Sequence, residues 1–117
     1  PTDIIKGAVP LSGLHDLAPI RLSCINEWTK LDEAEAAQNS PVLHLPTTGC
    51  PLVVSYGASE TAEFKRQSTQ LADAWATKGW HAEIFEHPDR NHFDIVFDLC
   101  DPGSLLGSKV FALINNV

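Results

Sequence analysis

The sequence predicts an α/β fold of about three parallel strands with flanking helices, forming part of a larger sheet. Three observations point there. Short apolar runs of strand length recur along the chain, separated by segments with helical patterning. The central run, PLVVSYG (51–57), is apolar without strict alternation, as suits a strand covered on both faces. Every connection between runs is long enough for a helical crossover rather than a hairpin turn.

The first expected strand is IIKGAVPL (4–11), the second PLVVSYG, bounded by Pro51 and Gly57, and the third HAEIFEH (81–87). The third alternates more clearly than the second, which places it nearer a sheet edge. LDEAEAAQNSP (31–41) reads as a short helix with acidic residues in its first turn, where they meet the positive end of the helix dipole, and Pro41 ends it. TAEFKRQSTQLADAWATKG (61–79) sets Phe64, Ser68, Leu71 and Trp75 on one face, and Lys78 and Gly79 supply its stop signals. NHFDIVFDLC (91–100) and SLLGSKVFALINN (104–116) read as two closing helices. Three strands with their helices leave the outer edge of the first strand open, so the whole of 1–117 is expected to be one segment of a single larger domain. The absence of any methionine, and a start at Pro1 almost directly into an apolar run, read the same way.

Composition narrows the function. The chain has 44% hydrophobic and 20% charged residues, ordinary for a globular domain. With a net charge of −7 and eight Lys and Arg, it offers no basic surface for nucleic acid or an anionic membrane. No apolar run approaches the roughly 20 residues that cross a bilayer, and PTDIIKGAV (1–9) lacks the features of a signal peptide. Cys24, Cys50 and Cys100 are far apart and odd in number, which suggests reduced, mostly buried thiols and a cytoplasmic setting.

In an open parallel sheet, functional groups gather beyond the carboxyl ends of the strands. Here those positions are the loops LSGLHDLAPI (11–20), GASETAEF (57–64) and PDRNHFD (88–94). The second offers Glu60 and Glu63, the third Asp89 and His92. Neighbouring parallel strands lie about 4.8 Å apart, so a carboxylate on one strand end reaches a histidine on the next. Such a pair is the orienting half of a nucleophile–His–acid triad; the alternative is a solvated loop histidine. Asp89 suits a turn, and Asp16 suits a hydrogen bond to its own loop backbone. His15 and Phe93 are candidates for a substrate pocket, with a surface polar residue and simple packing as the alternatives. The spacing of His81, His87 and His92 fits no common zinc pattern, so no metal site is expected. Trp75 and Trp80 suit core and helix-end packing.

KGAVPLSGLHDLAPI, NSPVLHLP, PLVVSYGASETAEFKRQSTQLADAW and NHFDIV occur in that order along roughly residues 5–114. Together they resemble the C-terminal part of α/β-hydrolase-fold esterases, in the subgroup that includes kynurenine formamidase (arylformamidase). EFKRQS and NHF are the most specific pieces. The resemblance implies that His92 is the general base and Glu60 the triad acid. Many relatives have Asp at that turn, which leaves Glu63 as an alternative acid. It further implies a small ester or amide substrate, such as an aryl formamide, and no cofactor.

One departure matters most. The G-x-S-x-G nucleophile elbow and the His-Gly-Gly type of oxyanion loop are both missing from the sequence. GASET has Thr61 where the elbow needs glycine, so Ser59 and Ser12 are poor nucleophiles. The expectation is a chain, inactive by itself, that supplies acid and base to a serine hydrolase. Its partner would be the N-terminal half of the fold, in the same or a separate chain, with a homo-oligomer left open. The rival is a non-catalytic binding or assembly module derived from a hydrolase half.

Overall fold

In a computed structural model, residues 4–116 are described; residues 1–3, where the reading of an interior start falls, and Val117 lie outside them. Strands β1 (Leu52–Gly57) and β2 (Ala82–His87) pair in parallel, Leu52 opposite Ala82 through Gly57 opposite His87. The crossover between them is helix α4 (Ala62–Thr77), completing a βαβ unit.

The first expected strand is realised as an extended segment bridged to the other side of β1, Ala8 opposite Leu52 and Leu11 opposite Ser55. Four backbone hydrogen bonds hold it: Ala8 N–H to Pro51, Val53 N–H to Ala8, Ser55 N–H to Pro10 and Ser12 N–H to Ser55. In that register the next rung would run from residue 10 to the Val53 carbonyl. Pro10 has no N–H to supply it, which is why the ladder breaks into isolated bridges. The apolar pattern marks the strand, and one proline interrupts it.

β1 is therefore central, and its pleat sends alternate residues to two helical layers. Leu52 and Val54 pack with Leu71, Ala72 and Trp75 of α4, and all five are buried. The Trp75 indole N–H donates to the Cys50 carbonyl at 2.9 Å, and Trp80 meets the Trp75 ring edge-on at 4.8 Å. On the opposite face, Val53 shares a cleft with Leu113 of helix α5 (Leu105–Asn115), beside a Lys109–Glu83 ion pair. Lys78 caps helix α4, and Gly79 follows with φ +79°, a conformation that glycine adopts without steric cost. Among the described residues, no strand pairs beyond residues 8–11 or beyond β2.

Several expectations are corrected in detail. The loop after the first segment contains two short helices, α1 (Ala18–Arg21) and α2 (Asn26–Thr29), ahead of α3 (Glu33–Gln38). Pro19 in the first turn of α1 and the left-handed Lys30 after α2 explain such short elements. A reciprocal Asp32–Glu35 capping box starts α3. The expected helix over 91–100 is a turn followed by a 3-10 helix, Ile95–Cys100, because Asn91 and Asp94 side chains bind backbone N–H groups in place of α-helical bonding. Cys24 and Cys100 are exposed and Cys50 half-buried, so the thiols are unpaired but not mostly buried. No helix among the described residues is long and apolar enough to cross a membrane.

Candidate active site

Three chain segments meet above the carboxyl ends of the strands. Residues 12–17 follow the first segment, 58–61 follow β1 and 88–94 follow β2.

Glu60 lies in the tight turn after β1, where its backbone N–H donates to the Gly57 carbonyl at 3.1 Å. Its side chain is fully buried. Oε1 accepts two hydrogen bonds, one from the Gly57 N–H at 2.7 Å and one from the Ser12 hydroxyl. Oε2 faces Nδ1 of His92 at 3.2 Å. The carboxylate is thus fixed on one oxygen and directed at the imidazole by the other.

His92 sits on the turn after β2. The Asn91 N–H and Nδ2–H donate to the two carboxylate oxygens of Asp94, at 2.7 and 3.0 Å. Asn91 Oδ1 accepts from the Phe93 N–H at 2.8 Å. This reciprocal brace spans His92 and Phe93. The imidazole lies against the Phe64 ring at a centroid distance of 4.4 Å and meets Phe93 edge-on at 5.4 Å. The His92 side chain remains 41% exposed, so it is open to an incoming group. Donation from Nδ1 to Glu60 leaves the Nε2 lone pair as the proton acceptor.

The approach of the two loops depends on Gly57. A Cβ there would lie 2.4 Å from the Arg90 carbonyl oxygen, well inside van der Waals contact. The Ser59 N–H donates to that carbonyl at 2.9 Å, and the Ala58 N–H to that of His87, also at 2.9 Å. Below the turn, Arg90 grips Asp98 through two bonds of 2.8 and 2.9 Å, and His87 Nε2 lies 3.0 Å from the same carboxylate without hydrogen-bond alignment. The Arg90 guanidinium holds the Asp98 carboxyl below its usual range.

Glu63 stands apart from His92. It pairs with Arg66 and accepts from Gln67, and those hydrogen bonds hold its pKa down at about 2. Gln67, fully buried, accepts the His15 and Asp16 N–H groups at 2.6 and 2.8 Å and so ties α4 to the first loop. His15 is buried rather than on the surface, and burial pushes its imidazole pKa down. Phe93 is 83% exposed, touching His92 but sunk in no core. Asp16 accepts from the Ala18 N–H of its own loop, and Asp89 occupies a left-handed turn position with φ +58°. Ser12 and Gly57, which donate to Glu60, and Asn91 and Asp94, which brace the turn around His92, carry no such expectation from the sequence. The Asn-x-x-Asp spacing around His92 was the available signal. Among the described residues, no three His, Cys, Asp or Glu side chains converge to hold a metal ion.

No family model matches the chain. A crystal structure of a protein assigned as a thioesterase from Silicibacter sp. TM1040 superposes with a TM-score of 0.79 at 30% identity, over 92% of this chain and 39% of that one. Esterase 2 of Thermogutta terrifontis superposes at 0.58 with 16% identity, over 95% of this chain and 39% of its own. The chain carries the C-terminal part of an α/β-hydrolase fold. In sequence, this hydrolase-fold chain is 35% identical to kynurenine formamidase of Salmo salar over 106 residues, and 30% identical to that of Danio rerio over 115. It spans 36% and 39% of the length of those two relatives.

Proposed function

We propose that this chain contributes the acid, Glu60, and the base, His92, of a Ser–His–acid triad. The observation that carries the reading is the buried Glu60 carboxylate facing His92 Nδ1 at 3.2 Å above a parallel sheet. In the complete enzyme, a serine from outside this chain attacks the acyl carbon while His92 Nε2 takes its hydroxyl proton. Glu60 holds the ring by Nδ1–H and stabilises the imidazolium. His92 then gives the proton to the leaving amine or alcohol, and in the second half-reaction it activates the water that releases the acid. Backbone N–H groups from the other part of the fold hold the oxyanion.

The similarity to kynurenine formamidases favours an aryl formamide of the N-formylkynurenine kind, or a small ester, as substrate. Three unpaired thiols suit a cytoplasmic setting. With no elbow motif in its sequence, the chain by itself is inactive toward these substrates.

The test uses a fluorophosphonate probe, which labels an activated serine. The chain is purified with whatever polypeptide accompanies it and labelled, and the adduct is located by mass spectrometry. Label on a serine within G-x-S-x-G, lost when His92 is replaced, is the expected result. An assembly that takes up no label overturns the reading in favour of a non-catalytic module. Rapid turnover of p-nitrophenyl acetate by the chain alone, abolished by Ser59→Ala, overturns the claim that the nucleophile lies elsewhere.

A further inference from the structure

Ser12 takes no part in the proton transfers described so far, yet its conformation is specific. It is 6% exposed and has φ +49°, a left-handed backbone that a non-glycine residue adopts at a cost. Its N–H donates to the Ser55 carbonyl at 2.9 Å, the last hydrogen bond tying this segment to β1. The chain then turns, and the hydroxyl is delivered to Glu60 Oε1. Glycine would take this backbone more readily, but it would bring no hydroxyl.

We propose that Ser12 is a positioning residue for the acid. With the Gly57 N–H it forms a two-donor clamp on Oε1, which aims Oε2 at His92 and so selects the tautomer of the base. The inference rests on the reading of Glu60 and His92 as acid and base. A carboxylate has two oxygens, and His92 Nδ1 needs one of them at a fixed angle. A single donor on Oε1 leaves the group free to swing about that contact; two donors from different segments, residue 57 on β1 and residue 12 beyond the first segment, fix its plane. An imidazole facing an acceptor on its Nδ1 side holds its proton there and leaves Nε2 to act as base. If the clamp is loosened, the ring is released to carry its proton on Nε2, where it cannot accept one.

The same clamp disposes of Ser12 as a nucleophile. Its hydroxyl proton is committed to a carboxylate that already serves His92, and its oxygen is buried beside the acid rather than beside Nε2.

The experiment reads the tautomer directly. Long-range 1H–15N correlation spectra of the chain, recorded where the His92 ring is neutral, distinguish a proton on Nδ1 from one on Nε2. The unmodified chain should show the Nδ1–H form in excess. Ser12→Gly suits the left-handed backbone and removes the hydroxyl, so the fold should persist while the ratio of Nδ1–H to Nε2–H falls about tenfold, as expected for one charge-assisted hydrogen bond. Ser12→Ala, which keeps a Cβ at the strained position, should give the same tautomer change with a lower melting temperature. In the assembled enzyme, both variants should lower kcat about tenfold at unchanged KM. An unchanged tautomer ratio in a folded variant overturns the proposal, as does a parent chain already in the Nε2–H form. The spectra need no nucleophile, so they decide the role of Ser12 even if the assembly takes up no fluorophosphonate.

Discussion

At the residue scale, the Glu60–His92 contact joins a side chain with no exposure to one left partly open. That asymmetry suits the tasks proposed for them as acid and base. The acid must hold its charge and direction without reorganising, and the base must reach a second group. Glu60→Gln preserves volume but replaces one carboxylate oxygen with a donor, which competes with the Gly57 N–H and the Ser12 hydroxyl and removes the charge that stabilises an imidazolium. In the assembled enzyme it should cost at least about a hundredfold in kcat, and His92→Ala more, measured by steady-state hydrolysis with the fold checked by circular dichroism. Glu63→Gln should leave kcat within about threefold, because its carboxylate is engaged with Arg66 and Gln67. A larger loss from Glu63→Gln than from Glu60→Gln would reverse the assignment. Residue types and strand-end positions made both carboxylates visible in the sequence. The resemblance put Glu60 first with Glu63 as the alternative, and the two differ in their surroundings: the turn at 57–60 folds Glu60 toward β2, and the helix start carries Glu63 toward Arg66.

At the scale of elements, the site depends on how closely two turns can approach. Gly57 is the last residue of β1, and the backbone at Arg90 passes directly over it. Gly57→Ala forces that crossing apart by more than a rotamer change can absorb, costing about 1–3 kcal/mol of stability. It should separate His92 from Glu60, so hydrolysis and the His92–Phe64 nuclear Overhauser contacts should be lost together. If those contacts survive unchanged, Gly57 does not control the approach. The Arg90–Asp98 clasp restrains the same turn from below, tying it to the 3-10 helix at Ile95–Cys100. Much of this scale was legible beforehand: α4, β1 and β2 follow from apolar period and turn residues. The rest escaped for local reasons. Pro10 silently removes one rung of a ladder, and Asn91 and Asp94 divert a helix-like run into a braced turn. Helices α1 and α2 are too short to show a periodic face.

Across the whole molecule, acid should destabilise the fold in two separate steps. His15 is buried and its native pKa lies below the ordinary 6.5, because burial penalises the charged ring. Between that depressed value and about 6.5 the unfolded chain binds a proton that the native chain does not, so stability falls as pH drops through this window and the loss levels off once the native ring is also protonated. Asp98 works lower. Its native pKa is held below 3.8, chiefly by the hydrogen bonds from Arg90, so its contribution is complete above 3.8 and disappears as pH falls through the native value. Glu63, held at about 2, acts in the same direction, but its side chain is 38% exposed and solvent screening reduces its share. Urea midpoints at about pH 7.5, 5 and 3 should decline in both intervals. His15→Gln should flatten the upper interval and leave the lower one, whereas Asp98→Asn should flatten the lower and reduce the midpoint at pH 7.5 and 5 more than at pH 3, because it weakens the Arg90 clasp. A His15→Gln variant that retains the full decline between pH 7.5 and 5 would show that another group carries it. These two steps also separate stability from catalysis. Among the described residues, no hydrogen bond or ion pair joins the His15 or Asp98 side chain to the Glu60 carboxylate or the His92 ring, so the urea midpoint of His15→Gln at mildly acidic pH should rise relative to the unmodified chain while the His92–Phe64 contacts stay unchanged.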